Sequence, residues 1–219
     1  MLAHLRLLYF ELSRGYPLAL KLLLQELGCI KMVIVVLKLQ YRQWLQNPFK
    51  ELNRTAPPNA SEKLSQRQML PAVLLYKILQ NHGYNSEGAK SIVAKVVHQV
   101  AFEFLKFNVP TIKHNDVYEL PRANQEKILN AITAKFFNAT GQTEINNDNT
   151  FSFFVSKCSF AAYSKILGVP ELAPIFCASD KAYFDACQPD VSLTRTKTLA
   201  ENNLPCDFVF RWKEQGSDD

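Results

Sequence analysis

The chain has 219 residues, of which 47% are hydrophobic, and its formal net charge is +5 at pH 7. This length and composition fit one sizeable globular domain, with or without a helical appendage, and argue against an intrinsically disordered chain. Lysine and arginine are dispersed among acidic residues rather than clustered. This distribution argues against a nucleic-acid-binding protein and favours a small anionic ligand.

Cysteine usage and hydropathy indicate the compartment. The five cysteines are an odd number and no signal peptide precedes them, so we expect free thiols in a reducing, cytoplasmic setting. The most apolar stretch, residues 18–40, is interrupted by Lys21, Glu26, Lys31 and Lys38. A membrane-spanning helix needs about 20 residues that are nearly free of charge. We therefore predict no membrane span.

The first quarter of the chain is predicted to be helical. Leucine-rich periodicity indicates helices over residues 2–13, 16–27 and 30–47, with breaks at Gly15 and Gly28. The first proline-rich linker follows, at residues 53–61. We therefore expect a helical segment over residues 1–56 and an α+β domain over residues 57–219. The leucine-rich helices could also supply an interface for a homo-oligomer.

Helical patterns continue into the middle of the chain. Ser61 is predicted to cap a helix that runs to Gln80. Ser86 is predicted to cap a long helix whose apolar stripe runs from Ile92 to Phe104. A further helix is expected over residues 123–138, closed by Gly141.

The pattern then changes to period two. Residues 142–145, 150–158, 191–200 and 205–212 alternate like strands, and two short helices are expected between them, over 160–168 and 175–187. Strands with helices segregated between them are typical of an antiparallel sheet covered on one face. The predicted fold class is therefore α+β, in which a helical amino-terminal half packs with a cysteine-bearing carboxyl-terminal core over residues 150–212.

The helix predicted over residues 175–187 carries the clearest chemical signal. Helical spacing puts four residues on one stripe: Cys177, Asp180, Phe184 and Cys187. Lys181 and Asp185 point elsewhere and are expected in solvent. A carboxylate on an apolar stripe needs a partner, so Asp180 is either a functional group or is hydrogen-bonded to backbone groups of the turn before the helix. Cys187 is interpreted as packing.

Two strands add further candidates. Cys206 shares a face with Phe208, Phe210 and Trp212 and is expected to point into the core. Arg195 shares a face with Val191, so it is either an inward cation that binds a carboxylate or a charge that protects an edge strand from pairing.

An ordered set of short motifs resembles one known family. The segments are "FVSKC", "LGVPELAPIFCASD" and "RTKTLAENNLPCDFVF", which together fall within residues 150–210. They resemble the L-2-amino-thiazoline-4-carboxylic acid hydrolase family, at the positions of Cys158, Cys177, Asp180, Arg195 and Cys206. The turn before the C-D-F motif lacks the glycine of the family pattern. Asn202 or Asn203 could adopt the left-handed conformation in its place.

The resemblance implies a hydrolase that opens a small carboxylated heterocycle at an amidine-like carbon and needs no cofactor. On this hypothesis Cys177 or Cys158 is the nucleophile, Asp180 the general acid/base and Arg195 the carboxylate clamp, with Cys206 beside the substrate. One alternative is a zinc site formed by Cys158, Cys177 and Cys206. Two others are a non-catalytic binding or scaffold protein of the same fold, and an enzyme for a related heterocycle or amide.

Overall fold

The protein was analysed as a computed structural model that describes residues 2–147 and 150–213. Within these ranges the amino-terminal half is helical, and the carboxyl-terminal part combines an antiparallel sheet with helices. The predicted α+β class is therefore confirmed. The predicted boundary at residue 56 stays a prediction, and residues 1, 148–149 and 214–219 of the predicted segments lie outside the described ranges.

The helices follow the predicted order, with shifted ends. Asn59 and Asn85, rather than the serines two and one residues later, accept the capping hydrogen bonds of the two long central helices. Both side chains accept from backbone amides at the third helical position. The α-helical bounds are α1 (Leu2–Phe10), α2 (Tyr16–Leu27), α3 (Cys29–Leu45), α4 (Phe49–Thr55), α5 (Ala60–Asn81), α6 (Ser86–Asn108), α7 (Asn115–Tyr118), α8 (Arg122–Thr133), α9 (Ser159–Ile166) and α10 (Ala173–Cys187).

Two glycines predicted to break the first helices behave differently. Gly28 has φ 73° and separates α2 from α3, as predicted. Gly15 instead lies inside a π-helical segment, Glu11–Gly15, that joins α1 to α2 without a break. Its absent side chain leaves room for the ring of Phe10, which would lie 3.2 Å from a Cβ at this position.

The four described strands form one antiparallel sheet in the order β1-β2-β4-β3. Their bounds are β1 (Ala139–Asn147), β2 (Thr150–Cys158), β3 (Val191–Thr194) and β4 (Cys206–Trp212). β3 is thus an edge strand and ends before Arg195. The predicted strand over residues 191–200 is therefore too long.

Gly141 does not close a helix, which corrects the sequence-based prediction. Helix α8 ends at Thr133, and Gly141 lies in β1 at a register shift against β2. A Cβ on Gly141 would lie 2.1 Å from the carbonyl oxygen of Phe154. The glycine is needed here because the neighbouring strand approaches its backbone too closely for any side chain.

Two hydrophobic clusters form the core. The first joins the amino-terminal helices to α5, α6 and the start of α10, around Phe49, Met69 and Leu79. The second lies between the sheet and α10, where Phe210 contacts both Phe151 and Phe184 at ring-centroid distances of 4.6 and 5.0 Å. Helices α6 and α10 contribute to both clusters and so connect the two halves.

The outer faces of the first helices differ from the rest of the surface. Helix α3 exposes an apolar row that includes Ile30, Leu37, Tyr41 and Trp44. In the described residues, no helix combines the length and the hydropathy that a membrane span requires.

Candidate active site

Helix α10 presents the predicted stripe. It begins directly after a turn of 3₁₀ helix, Pro170–Leu172, carries a proline in its first turn, and ends at Cys187 before Pro189. Phe184 is fully buried, whereas Cys177 and Asp180 are half-buried. The helix therefore anchors its carboxyl-terminal half in the core and leaves the thiol and the carboxyl group at an internal surface.

The opposite face of α10 lies in solvent, as predicted. Lys181 and Asp185 form an exposed ion pair, with 2.6 Å between Nζ and Oδ2. Cys187 is half-buried and packs against the second hydrophobic cluster. Helical spacing thus places the carboxyl group of Asp180 inside the protein and that of Asp185 on its surface.

Asp180 is paired with Arg195 rather than with backbone groups of the turn before α10. The distance between Nη1 of Arg195 and Oδ2 of Asp180 is 3.7 Å, and both side chains are less than one-fifth exposed. Arg195 also donates a hydrogen bond of 3.4 Å to the carbonyl oxygen of Cys177, and its guanidinium lies 5.3 Å from the ring centroid of Phe208. These contacts hold the guanidinium against the functional face of α10.

The loop after β3 is held in place by Asp207, the acidic residue of the C-D-F motif. Its carboxylate accepts hydrogen bonds from the backbone amides of Thr196 and Lys197, at 2.9 and 2.6 Å, and from the Thr196 hydroxyl. Partial burial opposes ionisation, but these hydrogen bonds prevail and lower the pKa of Asp207. The R-T-x-T and C-D-F motifs therefore act together to position Arg195.

In the rest of this loop, side chains form hydrogen bonds with the backbone of the loop itself. The Thr198 hydroxyl accepts from the amide of Glu201, and the side chain of Asn202 accepts from the amide of Thr198. Asn203 has φ 59°, so an asparagine does adopt the left-handed conformation, as predicted.

Cys158 and Cys206 lie at the ends of adjacent strands. Cys158 ends β2 and is half-buried, with the side-chain amide of Asn138 3.9 Å from its Sγ. Cys206 begins β4, is only 4% exposed, and accepts a hydrogen bond of 3.4 Å from the amide of Leu199. Its predicted orientation into the core is confirmed.

These residues meet at one cavity of about 450 Å³, located where the two hydrophobic clusters join. Cys158, Cys177, Asp180 and Cys206 all contribute to its lining. Arg195 is not part of the lining and contacts Asp180 from outside it. Four of the five residues selected from the sequence therefore share a wall of the same cavity, and the fifth supports one of them.

Burial changes the ionisation of the two groups on α10. Burial raises the pKa of Asp180 to about 7, against the opposing positive charge of Arg195. Burial, followed by the negative charge of Asp180 and the neighbouring Cys158, raises the pKa of Cys177 well above its usual range. Near neutral pH the pair therefore consists of a thiol beside a carboxyl group that is partly ionised.

The described residues contain no group of three or more cysteine, histidine, aspartate or glutamate side chains that could hold a metal ion. Cys158, Cys177 and Cys206 thus share a cavity without converging as a ligand set. The zinc alternative gains no support from this geometry.

Sequence reasoning missed the other half of the cavity wall. The π-helical segment and helices α2 and α3 contribute Glu11, Tyr16, Leu20 and Gln40 to the lining. These residues belong to amphipathic helices whose pattern indicates only that one face packs. No local signal says that the packed face borders a cavity.

Comparison with known proteins adds one match. The family model described as "L-2-amino-thiazoline-4-carboxylic acid hydrolase" matches residues 62–210, which is well over half of the chain. No curated protein and no solved structure gives a match. The matched region begins within α5 and contains all five residues that the sequence motifs select.

Proposed function

Because the chain belongs to the L-2-amino-thiazoline-4-carboxylic acid hydrolase family, we propose that it is a hydrolase that opens a small heterocycle at an amidine-like carbon. The observation that carries this proposal is the joint contribution of Cys177 and Asp180 to one cavity wall. A nucleophile and an acid/base group one helical turn apart are what such a ring opening requires.

The proposed first step is attack of the Cys177 sulfur on the ring carbon. The thiol proton passes to the Asp180 carboxylate, and the carbon–sulfur bond of the ring then breaks while Asp180 returns the proton to the departing sulfur. A water molecule next attacks the enzyme-bound carbon, and the Cys177 sulfur leaves as a thiol. The net change is addition of one water, which leaves a carbamoyl group on the ring nitrogen and a free thiol on the product.

The ionisation of the two groups supports this assignment of roles. A carboxyl group with a pKa of about 7 can accept and return a proton near neutral pH. The raised pKa of Cys177 means that its thiol needs a base beside it before it can act as a nucleophile. Cys158 borders the same cavity and is the alternative nucleophile.

Arg195 and Cys206 take supporting roles in the proposal. Arg195 positions Asp180 and moderates its pKa, because its guanidinium already contacts Asp180, the Cys177 carbonyl and the Phe208 ring. A direct contact between Arg195 and a substrate carboxylate stays a prediction. Cys206 borders the bound substrate. The described cysteines are free thiols. The reducing, cytoplasmic setting stays a prediction from the sequence.

The test compares single variants of the two α10 residues. Thiazoline ring opening is expected to be abolished in Cys177→Ala and reduced roughly 10²–10⁴-fold in Asp180→Asn, the range typical of a lost acid/base group. Cys158→Ala shows which thiol attacks. Cys187→Ala is the matched control, because Cys187 lies on the same helix but outside the cavity lining. Unchanged rates in both Cys177→Ala and Asp180→Asn would refute the proposal.

One observation favours a second candidate, a binding protein without turnover. The cavity is walled largely by apolar side chains, and the resting Cys177 is a protonated thiol. Tight ligand binding by wild-type protein that hydrolyses no thiazoline, related heterocycle or amide would favour this candidate. Turnover that depends on Cys177 would exclude it.

A further inference from the structure

The cavity extends far beyond Cys177 and Asp180. Helix α6 lines it with one continuous face, which runs from Val96 to Asn108 through Val100 and Phe104. Because an α-helix rises about 1.5 Å per residue, this face is about 18 Å long. The cavity is therefore elongated along α6, and the reactive pair occupies only part of its wall.

The added length is lined by apolar side chains. On the side of α1–α3 the wall includes Leu7, Phe10, Ala19, Leu23 and Leu39. The two charged residues of that region, Glu11 and Arg67, are joined by a bidentate ion pair, so their charges compensate each other. Lys135, whose backbone carbonyl accepts a hydrogen bond from the Asn108 side chain, is a further charged residue of the lining, at the Asn108 end. On the side of α1–α3 the cavity therefore offers a ligand dispersion contacts and removal from water rather than ionic partners.

The cavity is not closed off from solvent, and its lining includes partly exposed residues of α2. Tyr16 and Leu20 line it and are 40% and 42% exposed. Protein interiors are close-packed, and an apolar space of about 450 Å³ that is open to solvent has the size and character of pockets in which proteins bind small ligands.

The family match and the apolar walls divide the cavity into two parts. Residues 62–210 match the family and supply Cys158, Cys177, Asp180 and Cys206. The walls contributed by α1–α3 lie outside the matched residues. The reactive wall thus belongs to the shared region, whereas much of the apolar extension is built by the preceding helices of this chain.

We infer that the cavity binds a substrate with a single apolar chain, whose reacting polar head lies at Cys177 and Asp180 and whose chain lies along α6 toward Tyr16. The chemistry of the head rests on the proposed function. The apolar chain of the substrate is inferred from the length and the apolar lining of the cavity. A small polar ring alone would occupy only part of the space along α6.

Affinity is expected to depend on chain length. Each methylene group transferred from water to an apolar site improves binding roughly fourfold. Primary alkyl amides are suitable probes, because their neutral head avoids repulsion by Asp180. Calorimetric titration of butanamide, hexanamide and octanamide should show a stepwise gain of roughly tenfold or more between successive members. Equal affinities, or no binding of octanamide, would overturn the inference.

Two variants of α6 test where the apolar chain of the substrate lies. Ala101 is half-buried and lines the cavity, whereas Ala94, two turns earlier on the same helix, is half-buried outside the lining. Ala101→Leu should lower octanamide affinity at least tenfold, while Ala94→Leu should leave it unchanged. If Ala101→Leu fails to fold, Val100→Thr, which adds a wall hydroxyl at nearly constant shape, should weaken octanamide binding selectively. Octanamide binding that is unchanged in the folded variant would contradict the placement.

The same titrations separate the inference from the proposed function. Cys177→Ala should still bind octanamide with a chain-length dependence like that of the wild type. Chain-dependent binding by a wild-type protein that opens no thiazoline or related heterocycle would refute the proposed function and leave the inference standing. Efficient opening of an unsubstituted thiazoline carboxylate, without chain-dependent binding, would refute the inference and leave the proposed function standing.

Discussion

The guanidinium of Arg195 lies 3.7 Å from the carboxyl group of Asp180, and both side chains are largely shielded from solvent. Burial and the ion pair act on Asp180 in opposite directions, and burial prevails, since the pKa of the carboxyl group is raised to about 7. The pair is therefore not a simple stabilising salt bridge. Burial leaves Asp180, beside Cys177, with a pKa of about 7, so that its carboxyl group can both accept and donate a proton near neutral pH.

Asp180 should make the stability of the protein depend on pH. A carboxyl group whose folded-state pKa exceeds its unfolded value of ~4 stabilises the fold while protonated, and this contribution is lost as pH rises through about 7. Relative to Asp180→Asn, wild-type protein should lose on the order of 2–4 kcal/mol of unfolding free energy between pH ~4 and ~8. Urea unfolding at several pH values measures the difference. The exposed Asp185→Asn is the control and should track the wild type, whereas parallel curves for wild type and Asp180→Asn would contradict the assigned pKa.

Arg195 should set the acidic limb of the pH–rate profile. Loss of its positive charge in Arg195→Gln removes the interaction that lowers the pKa of Asp180, so this pKa rises further. Because the proposed base is the ionised carboxylate, the inflection should move to higher pH. Arg195→Lys keeps the positive charge, so its inflection should lie close to the wild-type pH. A residue that only clamps substrate would instead raise KM with the inflection unmoved.

Cys177 should react slowly with alkylating reagents. Its thiol is protonated at neutral pH because burial and the charge of Asp180 raise its pKa, whereas Cys29 is exposed on α3. Iodoacetamide at pH ~7.5 should therefore modify Cys29 well before Cys177. Asp180→Asn removes the like charge and should accelerate modification of Cys177 but not of Cys29, as followed by peptide mass spectrometry. Faster labelling of Cys177 than of Cys29 in the wild type would mean that the resting thiol is activated.

The relation of Cys177 to Asp180 could be predicted from sequence because it depends only on helical spacing within α10. The position of Arg195 could not. It depends on where β3 ends, and that end is set by Asp207, which captures the amides of the following loop from a different strand. The apolar extension of the cavity could not be predicted either, because it depends on how α1–α3 pack against α6.

Gly141 also could not be interpreted from local sequence. A glycine after a helical pattern predicts a helix end, whereas in the structure Gly141 permits β1 and β2 to approach each other closely. Gly141→Ala would force a Cβ to within 2.1 Å of the Phe154 carbonyl oxygen. The expected loss of unfolding free energy is about 1–3 kcal/mol, as for other overpacked sites. Urea unfolding of Gln142→Ala, an exposed neighbour on the same strand, controls for alanine in β1. A loss no larger than that of the control would contradict the close approach.

The exposed row on α3 should mediate self-association, as the leucine-rich sequence of the first helices predicts. Ile30, Leu37, Tyr41 and Trp44 follow one another at helical spacing, and Trp44 is 80% exposed. The row carries no charge, so it is complementary to an identical row in a two-fold interface.

Beside this row, the Lys38 ammonium group contacts the His82 ring and the Lys31 ammonium group lies over the Tyr84 ring, so both lysines have partners within the same protein molecule. Sedimentation of the wild type should therefore show a concentration-dependent dimer that Leu37→Glu abolishes. Ile166→Glu alters a similarly exposed apolar residue on α9 and should leave the dimer intact, because Ile166 lies outside the row. A wild-type monomer at all concentrations would contradict self-association, and binding of that monomer to lipid vesicles would assign the row to a membrane surface instead.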